Sequence, residues 1–210
     1  MARIDDYKES FRLASIELKE RDVATLAKAA GAEFSQGEGL IVPFLGARYI
    51  VQILPETDVR KENSSEEVPL PDKILIAHYL LGSSGKKKTG QLITFRQVTD
   101  GQFYFAAFQR RARDPFVNFF GNNGNLFVKC AAIMGASPSE NGDFGMEFTV
   151  FPNICVQLVL WKGDEEFAPD ATILFDESVQ SILSPEDIAV MSGGLVYRLI
   201  GLGRKIQSEA

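Results

Sequence analysis

What most limits the fold of this chain is the order of its local signals. Strand and helix patterns follow one another without the regular strand–helix–strand rhythm that builds a parallel sheet. The plainest strand signals are "FGMEFTVF" and "ICVQLVLW", Phe144–Phe151 and Ile154–Trp161, on either side of Pro152 and Asn153. Residues 40–42 and 48–54 read as a further hairpin across 43–47, because Tyr49, Val51 and Ile53 alternate. Shorter strands are expected at 92–96 and 172–175. The expectation is therefore α+β: a single domain over residues 1–210, with a mostly antiparallel sheet built largely from the strands between Leu40 and Phe175 and flanked by helices.

The helices announce themselves by spacing and by their ends. Ile4, Tyr7, Phe11, Ala14 and Leu18 recur at helical period. Asp22 is placed to cap a second helix that Gly31 stops. Asp72 is expected to cap a third through Leu81, with Leu75, His78 and Leu81 on one face. Residues 103–113 read as a helix ending in a basic turn, after which Asp114 and Pro115 restart a helix that ends near Gly121. Residues 126–134 predict another. Ser184-Pro185-Glu186-Asp187 is a strong helix start, and Ile188, Met191, Leu195, Leu199, Leu202 and Ile206 form its apolar stripe. Gly193, Gly194, Gly201 and Gly203 each cost this helix roughly 1 kcal/mol against alanine. Close packing would offset that; otherwise the helix breaks near Gly201. Residues 55–71 and "SPSENGD" read as loops, the first a mobile surface loop.

Composition bounds the function. A chain of 210 residues buries about 70% of its unfolded surface and needs neither metal nor disulfide to hold a core. Its 16 phenylalanines against 5 tyrosines and 1 tryptophan predict rings that face the core or a partner. The N-terminus has no secretory pattern, and no apolar run approaches the ~20 residues that span a bilayer. A cytoplasmic protein with no membrane partner is expected. Cys130 and Cys155 are not spaced for a cluster and predict reduced core thiols.

The net charge of −6 is unevenly spread. Residues 162–187 carry eight acids and one base, whereas 86–113 carry seven bases and one acid. Pairing of Arg96 or Arg110 with the acidic segment would neutralise both blocks. Aromatics interleave with the bases, yet a pI near 5.0 argues against nucleic acid. The loop Gly82–Gly90, "GSSGKKKTG", lacks P-loop spacing and follows a helix, so a solvated turn is expected.

His78 is the only histidine, so any Ser-His or Cys-His chemistry must use it; no nucleophile motif accompanies it. The consecutive acids Asp164, Glu165 and Glu166 cannot all face one way on a strand, and they fit a turn. Such a turn is either solvated or converges on a polar ligand or hard cation, although no calcium-loop pattern is present and no metal ligands are assigned. Asp176, at a strand end, reads as a capping or arginine-pairing residue.

His78-Tyr79-Leu80-Leu81, Gly90, Thr94-Phe95-Arg96, Tyr104, Phe108, Pro152, Asp164-Glu165-Glu166-Phe167, Leu174-Phe175-Asp176 and Glu186-Asp187 stand in an order that resembles a family of comparable length from anaerobic bacteria and archaea, a domain of unknown function. The resemblance spans roughly residues 10 to 200. It implies work beside anaerobic redox or corrinoid enzymes, since some members are joined to an iron–sulfur domain. This chain has no such domain, so an iron–sulfur or corrinoid protein is expected as a partner. The candidate ligand-binding positions are His78, Arg96, Tyr104, Asp164, Glu165, Glu166 and Asp176. A binding or accessory module is the first expectation. The alternatives are an enzyme using His78 and a carboxylate for acid–base chemistry, and a homo-oligomer joined through the 188–206 helix.

Overall fold

The computed structural model of the chain describes all residues except Met1, Gln36, Glu38 and Ala210, and no side chain of residues 2–4 or 35. The Ile4 side chain, first in the predicted stripe, therefore lies outside the described residues. The fold is α+β, with antiparallel strands in two sheets rather than one. The chain groups into two compact units: the four-stranded sheet lies in the first, and the five-stranded sheet, apart from the last two residues of its strand Phe144–Phe151, lies in the second.

The first unit comprises residues 1–88, 150–153 and 181–183. It opens with helices α1 (Ala2–Lys19) and α2 (Val23–Ala30). Asp22 caps α2 by accepting from the Thr25 N–H at 2.8 Å, and Gly31 ends it with φ 63°, both as the sequence predicts. Strands β1 (Glu33–Ser35), β2 (Gly39–Phe44), β3 (Ala47–Gln52) and β4 (Asp58–Lys61) pair in chain order. The β2–β3 turn is tighter than the 43–47 connection expected: only Leu45 and Gly46 lie outside the strands.

Residues 55–71 are not one loop. Val59 is the single buried residue of β4 and sits opposite Val51. An edge strand with one inward side chain and charged neighbours carries almost no period-2 signal, which is why it reads as loop. Helix α3 (Leu70–Gly82) begins two residues before Asp72, with Pro69 in the cap position. Asp72 lies buried in the first turn instead of capping it. The core here is an aromatic stack. The Phe151 ring lies 4.1 Å from that of Tyr79, nearly parallel, and 4.5 Å from that of Phe44. The Tyr79 hydroxyl donates to Ala30 O at 2.6 Å and accepts from the Asn153 N–H. Burial pushes its pKa up to about 12, so it stays protonated.

The second unit holds residues 89–149, 154–180 and 184–210. Its sheet runs β5 (Leu92–Thr94), β9 (Asp170–Asp176), β8 (Ile154–Trp161), β7 (Phe144–Phe151) and β6 (Ser137–Ser139). The chain order of β6 to β9 is thus a meander. "SPSENGD" supplies β6, against the loop reading; Pro138 is tolerated there because β6 is the sheet's edge. Cys130 and Cys155 are buried and are not joined in a disulfide.

The helical run of this unit departs from the sequence in an instructive way. Helix α4 (Gly101–Phe108) does not stop for a restart at Asp114. It passes through a π-helical turn, Gln109–Arg113, straight into α5 (Asp114–Phe120). Pro115 has no N–H to donate and crowds the carbonyl four residues back. The wide turn absorbs that conflict: the Asp114 N–H reaches Gln109 O, five residues back instead of four. Helix α6 (Gly124–Ile133) follows, capped by Asn123.

Helix α7 (Pro185–Ser208) begins with the predicted capping box of Ser184 and Asp187 and runs unbroken past Gly201. The stripe residues Ile188, Met191, Leu195 and Leu199 are fully buried, and α7 packs on α4, α5, α6 and the π turn of the same unit. Those four residues are core, while Leu202 and Ile206, the last of the stripe, are half-buried. Gly193 shows why a glycine stands there. A methyl at this position would lie 3.1 Å from the Arg111 carbonyl oxygen of the π turn. Close backbone approach offsets the helix cost of the glycine.

Candidate functional site

Six of the seven candidate residues belong to the second unit. His78 is alone in the first, half-buried on α3.

Asp176 ends β9 and is 6% exposed. Its Oδ1 accepts from the Thr89 N–H (3.0 Å) and hydroxyl (3.2 Å), and from the Ser178 N–H (3.0 Å) and hydroxyl (2.6 Å). Its Oδ2 accepts from the Gly90 N–H at 2.7 Å. Burial by itself would raise the carboxyl pKa. The bonds from Ser178, Thr89 and Gly90 outweigh it and bring the pKa to about 2. The last two residues of the glycine-rich loop thus turn their N–H groups on a carboxylate of the chain itself. Asp176 is the capping residue its position suggested.

The acidic turn joins β8 to β9. Asp164 Oδ1 accepts from the Glu166 and Phe167 N–H groups, each at 2.8 Å, and its N–H donates to Phe167 O. These bonds, from Phe167 first and then Glu166, hold the Asp164 pKa below the usual carboxylate range. Glu165 and Glu166 are exposed, as is Phe167 at 69%. The turn borders an open cleft of about 460 Å³ shared with Asn122. Among the described residues, no three His, Cys, Asp or Glu side chains converge as a metal would need.

Arg96 and Tyr104 bracket a different feature. The Arg96 guanidinium lies 4.0 Å over the Phe105 ring. Tyr104, the preceding residue on α4, is 36% exposed. Phe105 itself lines a cavity of about 280 Å³ beneath the π turn. The buried rings of Phe95 and Phe108, 4.2 Å apart and nearly parallel, make part of its floor, with Ile173 of β9. Gln109, Arg113 and Thr172 stand at its rim, half-buried. Arg113 also settles the charge blocks. It donates to Asp114 at 3.0 Å and to Asp170, so the pairing expected of Arg96 or Arg110 is made by Arg113. Burial opposes the Arg113 charge, but the bonds to Asp114 and Asp170 more than compensate and raise its pKa.

Sequence reasoning missed Gln109, Arg113 and Thr172. One signal was present: a proline inside a run that is otherwise helical on both sides, which calls for a distorted turn. By itself, Asp114–Pro115 reads as a helix boundary.

A family model described as a domain of unknown function, DUF3786, matches residues 22–198. The chain belongs to that family. No curated protein and no solved structure matches the chain. The DUF3786 span begins at the cap of α2, ends within α7 and contains the whole cavity under the π turn. No helix among the described residues is long and apolar enough to cross a membrane.

Proposed function

We propose that this DUF3786 protein is a binding module rather than a catalyst, and that its site is the cavity under the π turn. One observation carries this: an aromatic-floored cavity rimmed by an arginine, a glutamine amide and threonine hydroxyls, with no histidine, cysteine or lysine in its wall. Small-molecule sites combine apolar walls with a few fixed polar groups in this way. The single carboxylate in the wall, Asp170, is already bonded to Arg113. His78 is not among the residues that line this cavity.

An accessory role in the cytoplasm of an anaerobe, beside an iron–sulfur or corrinoid protein, is proposed from the family resemblance. A corrinoid is far larger than 280 Å³, so in such a pairing the partner would carry it.

The test is native mass spectrometry on protein purified without oxygen from its own host. A bound small molecule that is missing from a folded Thr172→Trp variant, which fills the cavity, is the expected result. Wild-type protein that carries no small molecule, and whose NMR spectrum is unmoved by a small-molecule extract of the host, would sink the proposal.

A further inference from the structure

The opposite charge blocks of the sequence are only partly reconciled within the chain. Arg113 reaches Asp114 and Asp170. Among the described residues, no ion pair is formed by Arg96 or Arg110 on one side, or by Glu165 or Glu166 on the other. All four are exposed and belong to the second unit. Each pair of free charges stands with an exposed phenylalanine. Phe103 is 85% exposed and Phe167 is 69% exposed, more than any other large apolar residue described.

The basic face is built on α4. Phe103, Ala106 and Arg110 stand at i, i+3 and i+7 and are all exposed, so they run along the outer side of the helix into the π turn. Arg96 is anchored to the same helix, with its guanidinium 4.0 Å over the Phe105 ring. The helix packs on the 3₁₀ turn Phe95–Gln97, on α7 and on the π turn, which fixes the face in place.

The acidic face is the turn between β8 and β9. Asp164 caps it from inside, through the Glu166 and Phe167 N–H groups. A methyl at Gly163 would lie 2.7 Å from Pro169 Cδ and 2.9 Å from Phe167 O, so the turn is closed tightly on its own base. Glu165, Glu166 and Phe167 are thus displayed by a backbone that has little freedom left to lose on binding.

The two faces make matching demands. A partner for α4 must bring carboxylates beside an apolar group. A partner for the turn must bring cations beside one. Each face supplies what the other lacks. Arginine and aromatic side chains are frequent anchors of interfaces, and a guanidinium lies well on a ring face, as Arg96 already does on Phe105.

We propose that the α4 face of one copy, with Arg96, Phe103 and Arg110, docks on the acidic turn of a second copy, with Glu165, Glu166 and Phe167. The contact is head-to-tail. Each copy keeps one face of each kind, so association closes as a ring or runs on as a chain. Nothing is required of the cavity under the π turn.

The test is sedimentation velocity of the full chain over a range of concentrations. At low salt the mass of the wild type is expected to rise with concentration, and high salt is expected to reverse this by screening the pairs. Arg110→Glu alone and Glu166→Arg alone are each expected to weaken association by about tenfold or more. Mixed in equal amounts, the two variants are expected to form a one-to-one complex, because the intact α4 face of one meets the intact turn of the other. A wild type that stays monomeric at every concentration overturns the proposal. So does association that both variants leave unchanged, or a pair of variants that fails to combine when mixed. A monomeric wild type that binds an acidic host protein, and loses it in Arg110→Glu, would give the α4 face to that protein instead of a second copy.

Discussion

Two carboxylates twelve residues apart, Asp164 and Asp176, belong to one acidic segment and meet opposite fates. Asp164 lies in an exposed turn, where two backbone N–H groups bond to it and water can replace it. Asp176 is buried, and five donors converge on it from the loop before β5 and from the residues after β9. The difference lies in what else can serve the donors. At the turn, solvent can. At the strand end, the carboxylate is buried together with the Ser178 N–H and hydroxyl that bind it, and an unmet buried donor costs about 1–3 kcal/mol. The run of acids here marks exposure, while the acid that closes an apolar strand marks structure.

The largest expected effect follows from this contrast. Asp176→Ala should destabilise the protein by about 3 kcal/mol, lowering Tm by roughly 6–12 °C for a chain of this size. Asp176→Asn keeps one acceptor oxygen but turns an amide N–H₂ toward one of the N–H donors, so it should fall between wild type and alanine. Thermal unfolding followed by circular dichroism decides. An alanine variant as stable as wild type would mean that water reaches these donors.

The pH dependence of the same group is somewhat smaller. Its folded pKa, about 2, lies below the ordinary 3.8. The charged form is thus favoured in the fold. The stabilisation is present above pH 3.8 and disappears as pH falls through about 2. At 1.36 kcal/mol per pKa unit, it amounts to about 2 kcal/mol. The stability gap between wild type and Asp176→Asn should therefore shrink between pH 5 and pH 2, measured by urea unfolding at fixed salt. A gap that stays constant over that range would show that the carboxylate charge is not what the donors hold.

The same distinction explains how much could be read in advance. Ser184, Asp22 and Gly31 end their helices as predicted, because cap chemistry is local. The Phe144–Phe151 and Ile154–Trp161 strands needed only their own apolar runs. What failed depended on neighbours distant in sequence. Strand β4 has one inward residue and is recognisable only beside Val51. The division into two sheets is decided by pairing, which no single run encodes. The π turn needed both Pro115 and the glycine opposite it on α7. Of the site, the acidic turn was legible as a turn and Asp176 as a cap. Arg96 pointed to within one side chain of the cavity, through Phe105. Gln109, Arg113 and Thr172 carry no motif, and the π turn and β9 must fold together before they share a rim.

The smallest effect is expected at the turn. Asp164→Ala removes an acceptor from the Glu166 and Phe167 N–H groups, both of which can turn to water. Its Tm should move by about 2 °C or less, as for most exposed substitutions. Reversing the charge of all three acids, Asp164→Lys with Glu165→Lys and Glu166→Lys, should leave both the fold and the small molecule carried from the host unchanged by native mass spectrometry. Folded triple-variant protein that no longer carries the small molecule would tie the turn to the site electrostatically. Folded protein that keeps the small molecule but loses a host partner in an anaerobic pull-down would make the turn a docking surface, separate from the cavity under the π turn.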